Sequence, residues 1–225
     1  WILALAVVWP CMAAAHDRVR EKENFDFDWK FILNADDRAN AGMQVSEAGW
    51  QDVQLPHDWS ISQNFDPKLS GSNGHLPGGI GWYRKTFRVD KKDKGRRIAV
   101  LFDGIYSRSD VYVNGQHLGF RPYGFCYQEY DLTPYLNYGA ENVLAVRVNN
   151  PLEHDSVARW YTGAGIYRHA WLVKTAEVHV ASYGTYVTTP VVTAERAEVR
   201  VRTSVANESK RIKTLSVRQQ ITDGE

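Results

Sequence analysis

The ten residues RWYTGAGIYR, Arg159 to Arg168, hold three aromatic rings, two arginines and two glycines. Trp and Tyr present flat apolar faces with a polar edge, and Arg presents a fixed fork of donors. Such a set can stack on a sugar ring and donate charge-assisted hydrogen bonds to its hydroxyls. Packing alone rarely gathers that mixture between two stretches that read as strands.

Other combinations reach less far. Gly78-Gly79-Ile80-Gly81 and Gly163-Ala164-Gly165 are only superficially like phosphate loops. Neither completes G-x-G-x-x-G, since Arg168 stands where a third glycine would fall after Gly163, and neither leads into a long helix. Tight turns and close backbone approach explain them better. His57-Asp58 in LPHDWSI supplies two members of a catalytic triad, yet no Ser in a nucleophile elbow accompanies them, and neighbours on a strand point to opposite faces. The expected role of the pair is structural hydrogen bonding. The seven histidines are dispersed, without H-x-x-x-H or C-x-x-C spacing, so no zinc site is expected. Glycoside cleavage by a retaining enzyme asks for two carboxyl groups about 5–5.5 Å apart. No acidic pair here is singled out by apolar neighbours or strand-end spacing. The residues argue for a surface that binds and for no catalytic machinery in this segment.

The elements that must carry these residues read as strands. FDFDWKFIL alternates Phe25, Phe27, Trp29 and Phe31 with Asp26, Asp28 and Lys30, which predicts one amphipathic strand. Tyr83, Lys85, Phe87 and Val89 alternate with Trp82, Arg84, Thr86 and Arg88. RIAVLFDG is an apolar run of the kind buried on both faces. Asn114-Gly115 between two alternating runs predicts a hairpin, because both residues tolerate the positive φ of a type I′ turn. LTPYL offers a single helical turn, with Thr133 as cap and Pro134 in the first helical position. NVLAVRVNN puts Leu144, Val146 and Val148 on one face, and AWLVK and EVHV follow as strands. Many short strands without intervening helices predict an all-β antiparallel sandwich, and a jelly roll fits. From about Ser182 the texture changes: Val199, Val201 and Val205 alternate with polar residues, and Leu215, Val217 and Ile221 repeat the pattern before Asp223-Gly224. These last residues read as the start of a second sandwich.

Composition sets the outer limits. The 225 residues are 44% hydrophobic and 24% charged, which disfavours disorder and a membrane fold. The net charge of +1 with scattered Lys and Arg leaves no electrostatic footprint for nucleic acid or an anionic membrane. The start, WILALAVVWPCMAAAHD, reads as the apolar core and A-x-A site of a signal peptide whose basic beginning is missing, so export to the periplasm or beyond is expected. Cys11 would leave with that signal, and Cys126 then stands alone without an internal disulfide. The expected organisation is a signal remnant over 1–15, a sandwich over 16–182 and an incomplete second sandwich over 183–225.

Seven blocks sharpen this reading: LPHDWSI, GGIGWYRKTF, LFDGIYSRSDVYVNGQHLG, YDLTPYL, NVLAVRVNN, RWYTGAGIYRHAWL and VTTP. In that order and spacing they resemble the N-terminal sugar-binding domain of glycoside hydrolase family 2, from about Phe25 onward. The resemblance implies a modular exported enzyme like the β-galactosidases and their β-glucuronidase and β-mannosidase cousins. Such an enzyme has an N-terminal jelly roll, an immunoglobulin-like sandwich and a TIM barrel that carries both catalytic glutamates. The implied mechanism is retaining, through a glycosyl-enzyme on one Glu while the other acts as acid and base. Neither Glu would lie in this chain. The implied partners are a β-linked oligosaccharide or glycoside, the chain's own barrel, and further copies in a homo-oligomer. No cofactor is implied here, and a structural or active-site cation in the whole enzyme is left open.

The family pattern places an Asp that touches the non-reducing sugar just before the aromatic pair. Arg159 stands there instead, and an Arg only donates where a carboxylate accepts. Three roles remain open for it: pairing with a carboxylate of the barrel, turning outward while Asp155 and His154 make the polar sugar contact, or recognising an anionic sugar. The substrate-binding candidates are thus Arg159, Trp160 and Asp155, with Trp160 and Tyr161 also implied at an interdomain surface. A free-standing carbohydrate-binding module is the alternative, and a purely structural domain the third.

Overall fold

A computed structural model of the chain describes residues 20–33, 36–71, 74–151 and 160–222. The signal-like segment 1–15, together with His154, Asp155 and Arg159, lies outside the described residues. No described helix is long and apolar enough to cross a membrane.

Two antiparallel sheets face each other. The four-stranded sheet has the order β1 (Arg20–Asn24), β10 (Ala170–Thr175), β5 (Arg97–Phe102), β8 (Gln128–Asp131). The six-stranded sheet has the order β3 (Gln51–Val53), β2 (Trp29–Leu33), β4 (Gly79–Arg88), β9 (Glu141–Asn150), β6 (Ser109–Val113), β7 (Gln116–Arg121). This is the expected all-β jelly-roll sandwich. Inward-facing Trp29, Tyr83, Phe102, Leu144 and Val146 are fully buried between the sheets. Along β9 the expected alternation holds, with Leu144, Val146 and Val148 in that core and Ala145 on the other face against Trp82 and Tyr112. β5 is buried almost throughout, as its continuous apolar run predicts. The β6–β7 hairpin turns at Asn114 (φ 51) and Gly115 (φ 82), the two positive angles a type I′ turn requires.

Three local expectations fail for physical reasons. Phe25–Phe31 is not one strand: β1 ends at Asn24 in one sheet and β2 starts at Trp29 in the other, so the chain crosses the sandwich between them. Asp28 takes φ 56 at the crossing, which breaks the period of two and leaves Phe27 53% exposed. Asp26, expected on a wet face, is buried and accepts from the Ala170 backbone N–H at 2.8 Å. The turn Thr133–Tyr135 is a 3-10 turn that Thr133 does not cap. Asp131 accepts from its backbone N–H, and the Thr133 hydroxyl is turned to β5, where it accepts from Ile98 N–H at 2.8 Å. Leu215, Val217 and Ile221 are exposed and belong to no strand, and among the described residues no strand pairs with this stretch to offer a ladder.

The outer face of the six-stranded sheet is covered by the loop before β3. Arg84, only 1% exposed, anchors it: Nη1 donates to the carbonyls of Asn40 (2.6 Å) and Gly42 (2.7 Å), and Nε to Glu47 Oε1 at 3.0 Å. Beyond the sandwich, β11 (Val178–Val192) and β12 (Ala197–Asn207) pair only with each other. Residue 182 falls inside β11, and Tyr186, Val187, Val192 and Val199 of this ribbon are exposed.

Candidate functional site

The site lies where two distant segments run side by side at one end of the sandwich. His57 N–H donates to Ile166 O at 2.8 Å and Trp59 N–H to Ala164 O at 3.1 Å. On the other flank Gly165 exchanges both backbone hydrogen bonds with Tyr106, at 2.8 and 2.9 Å. Close approach of this kind explains the glycines. Gly165 has φ 121, and a Cβ there would sit 2.3 Å from Tyr83 Oη and 2.7 Å from His57 O. Gly163 has φ 75, and its Cβ would fall 2.8 Å from Asp58 Oδ2. The reading of these glycines as turns and close contacts is thus the one the backbone bears out.

His57 and Asp58 direct their hydrogen bonds to different partners. Nδ1 of His57 is 2.8 Å from Tyr83 Oη, and the ring lies edge-on to Phe31 at 4.8 Å. Burial holds the imidazole below its ordinary pKa, with the nearby Asp58 charge opposing, and pushes the Tyr83 phenol well up. Asp58 is a hub of three donors. Oδ1 accepts from the backbone N–H of Ser60 (2.9 Å) and of Ala164 (3.0 Å), while Oδ2 accepts from Tyr161 Oη at 2.5 Å. Burial first, then the hydrogen bond to Asp58 and its charge, raise the Tyr161 phenol above its usual range, so it stays a donor.

Around this hub opens a groove of about 550 Å³. Its walls include His57, Asp58, Ile61, Phe125, Trp160 and Tyr161. Trp160 is 63% exposed at the groove, and Ile61 and Phe125 are also exposed. Phe125 is seated by Tyr106 at 5.1 Å and Tyr123 at 5.7 Å, and Tyr167, which also lines the groove, donates to Gly124 O at 3.0 Å. Among the described residues that line it, Asp58 is the one carboxylate, and its oxygens already hold three donors. The lining offers ring faces, hydroxyls and an imidazole, which suits contact with a polyhydroxylated ring.

Of the sequence candidates, Trp160 stands on this groove, while Asp155 and Arg159 fall just outside the described residues. Sequence reasoning missed Asp58, Ile61 and Phe125 as lining residues. No signal in the chain pairs Asp58 with Tyr161, 103 positions away. The motif LPHDWSI marks the segment without its partner.

Comparison with known proteins follows the same boundaries. Residues 23–176 match the model for "Glycosyl hydrolases family 2, sugar binding domain". The β-galactosidase BoGH2A of Bacteroides ovatus is 44% identical over 223 residues, covering 96% of this chain and 25% of that protein. A β-glucuronidase of Formosa agariphila is 33% identical over 233 residues, covering 92% of this chain and 23% of its own length. The crystal structure of a glycosyl hydrolase family 2 member from Bacteroides cellulosilyticus superposes with a TM-score of 0.73 at 43% identity, over 83% of this chain and 25% of that one. The chain thus spans about a quarter of the length of the relatives it matches.

Proposed function

The chain belongs to glycosyl hydrolase family 2 and carries its sugar-binding domain, and from that premise we propose that it is the N-terminal part of an exported, retaining exo-β-glycosidase. The favoured substrate is a terminal β-galactoside. The observation that carries this reading is the match of nearly the whole chain, at 44% identity, to one quarter of a β-galactosidase. A β-glucuronide is the second reading, supported by the 33% identity to a β-glucuronidase.

In this account the groove supplies binding, and both catalytic glutamates come from a barrel elsewhere in the protein. The absence of an available carboxylate pair among the described groove residues supports that division, because double displacement needs a nucleophile and a separate acid and base. Trp160 and Tyr161 serve as ring faces at the meeting of groove, barrel and sugar. Arg159 and Asp155 are proposed as polar contacts beside them, Arg159 toward a barrel carboxylate. The β11–β12 ribbon begins the immunoglobulin-like sandwich near residue 182. Export is supported by the apolar run and small residues over 1–15.

The test is hydrolysis by the whole protein of chromogenic β-galactoside, β-glucuronide and β-mannoside, with the first-formed anomer read by proton NMR. Preferential cleavage of the galactoside with retained configuration is expected. Cleavage of the glucuronide alone would replace the substrate assignment, and cleavage of none would remove the glycosidase reading.

A further inference from the structure

The carboxylate of Asp58 bridges two segments 106 positions apart, through Ser60 N–H on its own side and Ala164 N–H on the other. Its second oxygen holds Tyr161 Oη at 2.5 Å, a length typical of an O–H donor on a charged acceptor. The turn Tyr161–Ala164 is therefore gripped at both ends by one side chain. Gly163 lies between the two grips, and any side chain there would meet Asp58 Oδ2 at 2.8 Å. Tyr161 lines the groove, and its neighbour Trp160 follows directly from where that turn is fixed. Outside this clamp the turn is tied by the Trp59 N–H bond to Ala164 O and by Asn150 Nδ2, which donates to Gly163 O at 3.3 Å, and Ala164 is buried in the core.

We propose that Asp58 is the positioning residue of the groove, fixing the Tyr161–Ala164 turn and so setting where Trp160 and Tyr161 meet the sugar. The inference rests on the glycosidase reading, and it assigns Asp58 no contact with the reacting atoms. Because the reacting groups are placed elsewhere in the protein, the ring contacts hold ground state and transition state alike. Loosening them raises KM and leaves kcat in place.

Two variants of the whole protein test this. Asp58→Asn keeps an oxygen for Ser60 and Ala164 N–H and turns an amide donor toward Tyr161. Tyr161→Phe keeps the ring and removes the donated hydroxyl. Each is expected to raise KM for the cleaved glycoside about tenfold with kcat within about twofold, the loss of one charge-assisted hydrogen bond. A merely structural role would lower the active fraction, and with it kcat, while leaving KM unchanged; that result overturns the proposal. Hydrogen exchange over residues 160–166 is read in parallel, and faster exchange in both variants is expected. If the wild type cleaves none of the three glycosides, the glycosidase reading fails and exchange alone decides. Faster exchange then sustains Asp58 as the clamp, and unchanged exchange refutes it.

Discussion

Arg84 and Tyr83 are neighbours on β4 and face opposite ways, and each leads to a loop held by a charged group. On the outer face the Arg84 guanidinium gathers the carbonyls of Asn40 and Gly42 and the carboxylate of Glu47. That loop lies over Trp82 and Tyr112 and shuts the face. On the inner side Tyr83 meets His57, and the next residue, Asp58, gathers N–H and O–H donors from the 160–164 turn. Here the rings beyond the hub stay exposed and a groove remains. The same device, a side chain that gathers several hydrogen bonds from a loop, seals one face and props the other open. Which outcome follows depends on where the aromatic rings stand: Trp82 is fully buried, and Trp160 is not.

This contrast is open to disproof, the largest effect first. Arg84→Met strips this partner from half-buried loop carbonyls and from Glu47 and is expected to cost about 3–5 kcal/mol. Urea-dependent hydrogen exchange of β4 and β9 peptides in the whole protein measures it, and KM should stay unchanged. A raised KM would mean the outer loop also serves the groove. Gly165→Ala meets Tyr83 Oη and His57 O at positive φ, with an expected cost of about 3 kcal/mol. Unlike Arg84→Met it should also raise KM, because it pushes the two groove segments apart.

The smaller effect concerns pH. Burial lowers the His57 pKa in the folded state below 6.5, its unperturbed value. Between the folded and unfolded pKa values the unfolded chain binds more protons, so stability rises with pH. The contribution is complete above about pH 6.5 and is lost as pH falls toward the folded value. His57→Gln should cost about 1 kcal/mol at pH 7.5, and the gap from wild type should narrow on acidification to pH 5.5. A gap that widens would contradict a neutral, half-buried imidazole.

Parts of this were legible in the chain. The Asn114-Gly115 turn was, because two adjacent residues that tolerate positive φ have few other uses between alternating runs. The faces of β4 and β9 were too, since one side of each strand is buried and period two is then enforced. The family resemblance located the groove loop and Trp160. The crossing at Phe25–Asp28 was not legible: an alternating pattern looks the same whether the chain continues in one sheet or changes sheets. Nor was the Asp58–Tyr161 pair, because a carboxylate between two ordinary residues carries no mark of a partner that only folding supplies. The alternation at Leu215–Ile221 states a capacity for strand, and a strand exists only where a neighbour completes its ladder.

The central claim is that the open face meets the sugar and the closed face does not. Trp160→Ala and Trp82→Ala, compared side by side in the whole protein, test it most directly. The account predicts that Trp160→Ala raises KM and changes stability by no more than about 0.5 kcal/mol, while Trp82→Ala costs about 3–5 kcal/mol and leaves KM unchanged. Equal KM values for wild type and Trp160→Ala, or a KM that rises with Trp82→Ala, would contradict it.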